Sequence, residues 1–196
     1  MKRIAKILSL SLLLIFMVSP AYAIGGGAKE TLEKFDHQAK TLLQGANGPS
    51  NKVADLVRTL LDYGELAEAS LGKHWAERTQ AEQKEFTDIL RSLIEKNYVK
   101  HLRDHINYEV TYNTETRVPG GKVNVTTTLT TGTPPRQTET EVVYIMKRKG
   151  SSWVVVDVVT DGVSLTRNYR SQFGKIIAEK GYDELINKMK KKLSEE

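Results

Sequence analysis

Near Asn107 the spacing of apolar residues along the chain changes from about 3.6 to 2, which divides a helical first half from a sheet. Before that point Leu32, Phe35, Ala39, Leu42 and Leu43 share one helical face over residues 31–43. The stretch "GANGPSN" interrupts the pattern with Gly45, Gly48 and Pro49 and leaves Ser50 or Asn51 to cap a second helix. That helix shows Val53, Leu56, Val57, Leu60 and Leu61 at i, i+3, i+4 spacing. A short third helix over 65–71 stops at Gly72. Thr79 with Glu82 three residues on forms a capping box, and the long helix behind it aligns Phe86, Ile89, Leu90, Leu93, Ile94 and Leu102.

After Asn107 the segments "INYEVTYNTETRV", "KVNVTTTLTT", "TETEVVYIMKRK" and "SWVVVDVVT" are rich in β-branched and aromatic residues. Turn chemistry at Pro119-Gly120-Gly121, at Gly132-Thr133-Pro134-Pro135 and at Lys149-Gly150-Ser151 separates them, so they predict a four-stranded antiparallel meander. In the third strand Val142, Tyr144 and Met146 alternate with Val143 and Ile145. In the fourth, Trp153, Val155 and Val159 alternate with Val154, Val156 and Val158. Both faces are apolar there, so both are expected to be covered.

Two helices close the chain, one with Leu165, Tyr169, Phe173, Ile176 and Ile177 on a face, the other with Tyr182, Leu185, Ile186, Met189 and Leu193. Asp183 and Glu184 at the start of the last helix and Lys188 to Lys192 near its end suit the helix dipole. The expected fold is α+β: N-terminal helices, a four-stranded curved antiparallel sheet and two C-terminal helices, NTF2-like, with an apolar pocket between sheet and helices.

The first residues stand apart from this pattern. Lys2, Arg3 and Lys6 precede an apolar run from Ile7 to Val18 and a small-x-small site at Ala21-Tyr22-Ala23, the layout of a secretory signal peptide. Cleavage after Ala23 leaves a single domain over 24–196 in an exported protein, placed in the periplasm. The formal charge of +5 falls with the leader, since 26 cations against 24 anions leave +2, which weakens any case for nucleic acid as a partner. The chain has no cysteine, so the exported domain is held by its apolar core rather than by disulfides.

Motifs for catalysis are sparse. Of the four histidines, only His101 and His105 are suggestively spaced, beside Asp104, and they lack the glutamate of a zinc-protease signature; no metal site is expected. There is no phosphate loop, nucleophile elbow or dinucleotide fingerprint. Asp157 and Asp161 are the one carboxylate pair in apolar surroundings. Asp157 reads as a structural acceptor that ties the strand to the next turn, or alternatively as the general base of a small NTF2-like periplasmic enzyme. Gly162 supplies the backbone freedom for the turn, and Ser164 is placed to cap the following helix.

The block "WVVVDVVTDGVSLTRNYRSQF", followed by "IIAEKGYDELINKM", resembles the C-terminal signature of the MlaC family, the toluene-tolerance auxiliary component of an ABC transporter. "LGKHWAERTQAEQKEFTDIL" is similar to a second hallmark of that family. The resemblance implies a non-enzymatic phospholipid carrier without a cofactor, its bound phospholipid being cargo. It also implies an outer-membrane lipoprotein complex and an inner-membrane ABC transporter with a lipid-binding ring protein as partners, and it puts Val163 at the pocket mouth. Trp153, Tyr169 and Phe173 match signature positions. The residues expected to line the pocket are Leu90, Ile94, Tyr144, Met146, Val155, Val163, Tyr169 and Phe173, with Arg167 and Arg170 as candidate head-group contacts. A protein-binding adaptor remains a third reading.

Overall fold

A computed structural model describes residues 27–44, 50–104 and 108–195. Four helices come first: α1 (Ala28–Gln44), α2 (Ser50–Leu60), α3 (Tyr63–Leu71) and α4 (Gln80–Asp104). Strands β1 (Glu109–Val118), β2 (Lys122–Thr131), β3 (Thr138–Lys149), β4 (Ser152–Thr160) and β5 (Val163–Ser164) follow, and α5 (Leu165–Lys180) and α6 (Tyr182–Glu195) end the chain. The expected leader, the Gly45–Pro49 break and His105 lie outside the described residues, as do the side chains of His101 and Leu102.

The α+β class holds, but the sheet has five antiparallel strands in the order β1-β2-β3-β4-β5 rather than four. The fifth is two residues long, too short for a periodic pattern to reveal. It exists because Asp161 (φ 47°) and Gly162 (φ 79°) reverse the chain tightly enough to pair Val163 with Thr160 and Ser164 with Val159. The Asp161 carboxylate accepts from the Glu141 N–H at 3.1 Å, and the Asp161 N–H donates to the Glu141 carbonyl at 3.0 Å.

The sheet is covered on both faces. One face meets α1, α2 and the second half of α4, where Leu32, Phe35, Val53, Val57 and Val99 pack against Val123, Val125, Met146 and Val155. On the other face Val154 and Val156 are buried, and α3 and α5 lie over Ile145, Val156 and Asp157. A second cluster forms where α3, the first half of α4, α5 and α6 meet, around Phe86, Leu90, Phe173 and Leu185.

The alternation expected along β4 needs one correction. The register with β3 slips between Ile145 and Met146, so that Asp157 faces Ile145 while Val155 faces Met146, and Val156 is an extra, bulged residue. A bulge shifts the pleat by one position. Val158 therefore joins the face of Val155, and Val159 moves to the opposite one.

Local chemistry follows the predicted caps. Thr79 and Glu82 exchange the capping-box bonds, and Ser164 Oγ accepts from the Arg167 N–H at 3.1 Å. Helix α3 begins at Tyr63, two residues before its apolar pattern, because Asp62 caps it: its Oδ1 accepts from the Glu65 N–H at 3.3 Å. The Asp62 N–H donates to the Val155 carbonyl at 2.9 Å and so pins the α2–α3 joint to the outer edge of β4, an edge that would otherwise be open. Arg58 holds Glu95, buried to 8% exposure, through two nitrogens at 3.0 and 2.8 Å and fastens α2 to α4. Gly72 takes φ +56° at the end of α3, where a Cβ would stand 2.9 Å from Arg170 Cδ.

Asp157 is the polar knot of the second half. Its Oδ1 accepts from the Val158 and Thr166 N–H groups at 2.9 and 3.0 Å, and its Oδ2 from Ser164 Oγ at 2.6 Å. Asp157→Ala strands two backbone donors and the hydroxyl of Ser164, a residue only 3% exposed. The expected loss is about 2–3 kcal/mol of unfolding free energy in a urea titration, with Asp157→Asn losing less than half of that.

Candidate functional site

Residues paired across an antiparallel ladder point to the same face of the sheet. Val163 pairs with Thr160, Thr160 with Val142, Val142 with Thr127 and Thr127 with Tyr112. The adjoining rows run Val158, Tyr144, Val125 and then Val155, Met146, Val123. Met146, Val155, Val123 and Val125 belong to the cluster under α1, α2 and α4, so Val163 lies at the rim of the face those helices cover. At 60% exposure it is the large apolar residue left in solvent among the described residues.

Four of the eight predicted pocket residues, Tyr144, Met146, Val155 and Val163, therefore share one face of the sheet. The other four do not join them. Leu90, Ile94, Tyr169 and Phe173 belong to the second cluster, where Phe173 meets Phe86 edge-on at 5.7 Å and stacks on Tyr169 at 5.1 Å. The reason is the length of α4: its 25 residues pass from one cluster to the other, and one continuous stripe serves both. The residues facing the sheet from α4 are Tyr98 and Val99, and from α1 Leu32 and Phe35. Sequence reasoning placed Leu32 and Phe35 on a helix face without assigning them to the site and passed over Tyr98, although it lies four residues beyond Ile94, the spacing that continues a helical stripe.

The rim of this face is rich in phenols. Tyr98, Tyr108, Tyr112 and Tyr144 all pack against the cluster. The Tyr108 hydroxyl donates to Asp36 Oδ1 at 2.7 Å, and the Tyr112 hydroxyl to the Leu32 carbonyl at 3.2 Å. Lys40 pairs with Asp36 at 3.1 Å and stands over the Tyr108 ring at 4.6 Å. At its start, α1 is fastened to the sheet edge by the Lys29 N–H on Glu115 at 2.9 Å and by Lys29 Nζ on the Tyr112 carbonyl at 3.2 Å.

Arg167 and Arg170 part company. Arg167 is exposed one turn beyond Val163. Arg170 Nε donates to the Ala69 carbonyl at 2.8 Å, toward α3 and the opposite face. Two open cavities lie there, of about 570 and 410 Å³, sharing Glu65, Ala69 and Arg170. Ion pairs furnish their walls: Glu65 with Lys122 at 2.9 Å and with Lys147, and Asp62 with Lys149 at 3.0 Å. Neither cavity is the apolar pocket expected between sheet and helices. On that side Val125, Met146 and Val155 are fully buried against the helices, so side chains occupy the depth of the interface.

Asp157 and Ser164 sit at the β4–α5 junction with their polar atoms bonded to each other and to the backbone, the structural role expected of them together with Gly162. Among the described residues no cluster of three or more metal-ligating side chains occurs, and no helix is long and apolar enough to cross a membrane.

Comparison with known proteins places this architecture. The family model described as "MlaC protein" matches residues 27–191. The chain belongs to the MlaC family. A solved structure of similar fold, with a TM-score of 0.74, is a phospholipid-binding protein from Ralstonia solanacearum in complex with a phospholipid. It is 20% identical to this MlaC chain, and the match covers 87% of this chain and 98% of that one. None of the curated proteins matches the chain by sequence.

The phenols of this MlaC protein are also its most perturbed acids. Burial holds Tyr98 well above the usual phenol range, and it pushes Tyr144 up to about 12, with Asp36 adding to both. A folded-state pKa raised above the unfolded value of about 10 means that the contribution to stability is complete below pH 10 and is lost as the pH rises through the folded value. Stability measured in urea should thus fall between about pH 10 and 12. Absorbance at 295 nm should show buried tyrosines that ionise only as the protein unfolds.

Proposed function

We propose that this protein is a periplasmic phospholipid carrier, moving lipid between an outer-membrane lipoprotein complex and an inner-membrane ABC transporter with a lipid-binding ring. The observation that carries the reading is the family match over residues 27–191, supported by the likeness to a fold whose relative holds a phospholipid. The signal-like leader, residues 1–23, is what puts the chain in the periplasm.

The acyl tails would enter between the sheet and α1, α2 and α4, past Val163. Because side chains fill that interface in depth, entry requires helices and sheet to part, and the tails then take the place of side-chain contacts. Of the remaining predicted contacts, Leu90, Ile94, Tyr169 and Phe173 act as packing of the second cluster, and Arg167 is better placed than Arg170 to meet a head group at the rim. The commitment of Asp157 to three groups at the β4–α5 junction favours a carrier over an enzyme with that residue as base.

The energetics fit a protein that works by handover. Hiding a sixteen-carbon tail from water is worth on the order of 10 kcal/mol at about 0.8 kcal/mol per methylene. Such a ligand does not leave into water, so release needs a partner that offers another apolar groove.

Organic extraction of the purified protein followed by mass spectrometry should recover phospholipid at close to one molecule per chain. Val163→Glu should reduce that yield at least tenfold while circular dichroism stays that of the parent. Undiminished lipid in the folded variant removes Val163 from the path, and an empty parent protein removes the carrier reading.

A further inference from the structure

The sheet face turned toward α3 and α5 carries an arrangement that lipid carriage leaves unused. Across the ladder Asn124 pairs with Ile145 and Ile145 with Asp157, so the three point to one side, and Lys122 pairs with Lys147 in the next row. These rows floor the two open cavities, while Glu65, Ala69 and Arg170 belong to the walls of both. Arg170 is held in place there. Its stem crosses α3 where Gly72 has no side chain, a Cβ at that point lying 2.9 Å from Arg170 Cδ, and its Nε donates to the Ala69 carbonyl at 2.8 Å. Among the described residues its two Nη groups have no partner. Asn124 Oδ1 complements them: it is buried, belongs to a side chain in the wall of the second cavity, and accepts no hydrogen bond among the described residues. A buried acceptor left unmet is costly, so one kept beside a cavity calls for a donor from outside the chain. Water can supply that donor, but it makes nothing of the aliphatic patch alongside, formed by Ile145, Val156, Val118 and Pro119.

We infer that this crevice binds a small zwitterion with an aliphatic body, an apolar α-amino acid, its ammonium on Asn124 Oδ1 and its carboxylate on the Nη groups of Arg170. The inference stands apart from the carrier reading, since the site lies on the sheet face away from Val163, α1 and α2. Charge selects the class. Around the two cavities four carboxylates, Asp62, Glu65, Glu68 and Asp157, face three cations, Lys122, Lys147 and Arg170. Glu65 takes up both lysines, which leaves Arg170 as the cation for a ligand oxyanion. A bare anion meets the excess of carboxylates, and a bare cation meets Arg170. A molecule with one charge of each sign suits both ends, and a guanidinium takes a carboxylate through two parallel hydrogen bonds. The aliphatic patch accommodates the body, and the second cavity, of about 410 Å³, has room for a molecule of leucine size.

Isothermal titration with three probes that share one side chain decides the matter: L-leucine, isoamylamine, which lacks the carboxylate, and isocaproate, which lacks the ammonium. L-leucine should bind at one molecule per chain. Each single-charge probe should bind about tenfold more weakly or worse, since a charge-assisted hydrogen bond is worth about a factor of ten in affinity. Arg170→Met and Asn124→Leu should each weaken leucine binding by about the same factor. Asn124→Leu removes an unmet acceptor at nearly constant volume, so its thermal midpoint should equal or exceed that of the parent, and it decides alone if Arg170→Met fails to fold. Parent affinity for leucine weaker than about 1 mM, equal binding of the three probes, or undiminished affinity in folded Asn124→Leu overturns the assignment. So does an unfolded Asn124→Leu, which would show that the amide serves the chain rather than a ligand. Phospholipid extraction is read separately, so failure here leaves the carrier reading standing.

Discussion

A strand that is greasy on both sides can exist only inside a sandwich, and β4 sets this requirement for the whole molecule. Val154 and Val156 are hidden on one side of it, Val155 on the other. One layer of helices cannot satisfy both, so the chain supplies α1, α2 and half of α4 in front and α3 and α5 behind. The outer edge of β4 needs cover as well, and it is met by the Asp62 bond at one end and by β5 at the other. With β4 enclosed in this way, the remaining three long strands can extend from it as a simple meander.

The two faces so created have opposite chemistry. In front, aliphatic residues fill the depth and tyrosines crown the rim. Behind, carboxylates and lysines are interleaved around two open cavities. Asp157 belongs to this rear side, where Thr166 and Ser164 use it to bring α5 out of the sheet at a fixed angle. That is why an apolar strand runs directly into an arginine-bearing helix: the carboxylate takes up the donors that the sharp exit from the sheet exposes.

Much of this was legible in the residues. Among the described residues, periodicity located the six α-helices and the four long strands, and capping chemistry at Thr79 and Ser164 fixed two helix starts that the structure reproduces. What periodicity cannot carry is register. The bulge at Val156 exchanges the faces of Val158 and Val159 without any change in composition, and β5 is shorter than one repeat of the pattern. The site suffered for a related reason. Leu90, Ile94, Tyr98 and Val99 follow one another along α4 as a single stripe, and only the path of the helix through space reveals that the first pair and the second belong to different clusters. The phenol rim was hidden too, because its members come from two strands, a helix and a strand approach, and a tyrosine in a strand ordinarily signals packing alone.

One rod joins the two clusters. At 1.5 Å per residue, α4 measures about 37 Å from end to end, and nothing in it between Phe86 and Val99 offers a glycine or proline at which to bend. Such a beam behaves as a lever: if the front layer swings outward to admit a guest, the far end under α5 and α6 must tilt with it. Any tilt of that rod is therefore shared by both clusters, which cannot repack independently of one another.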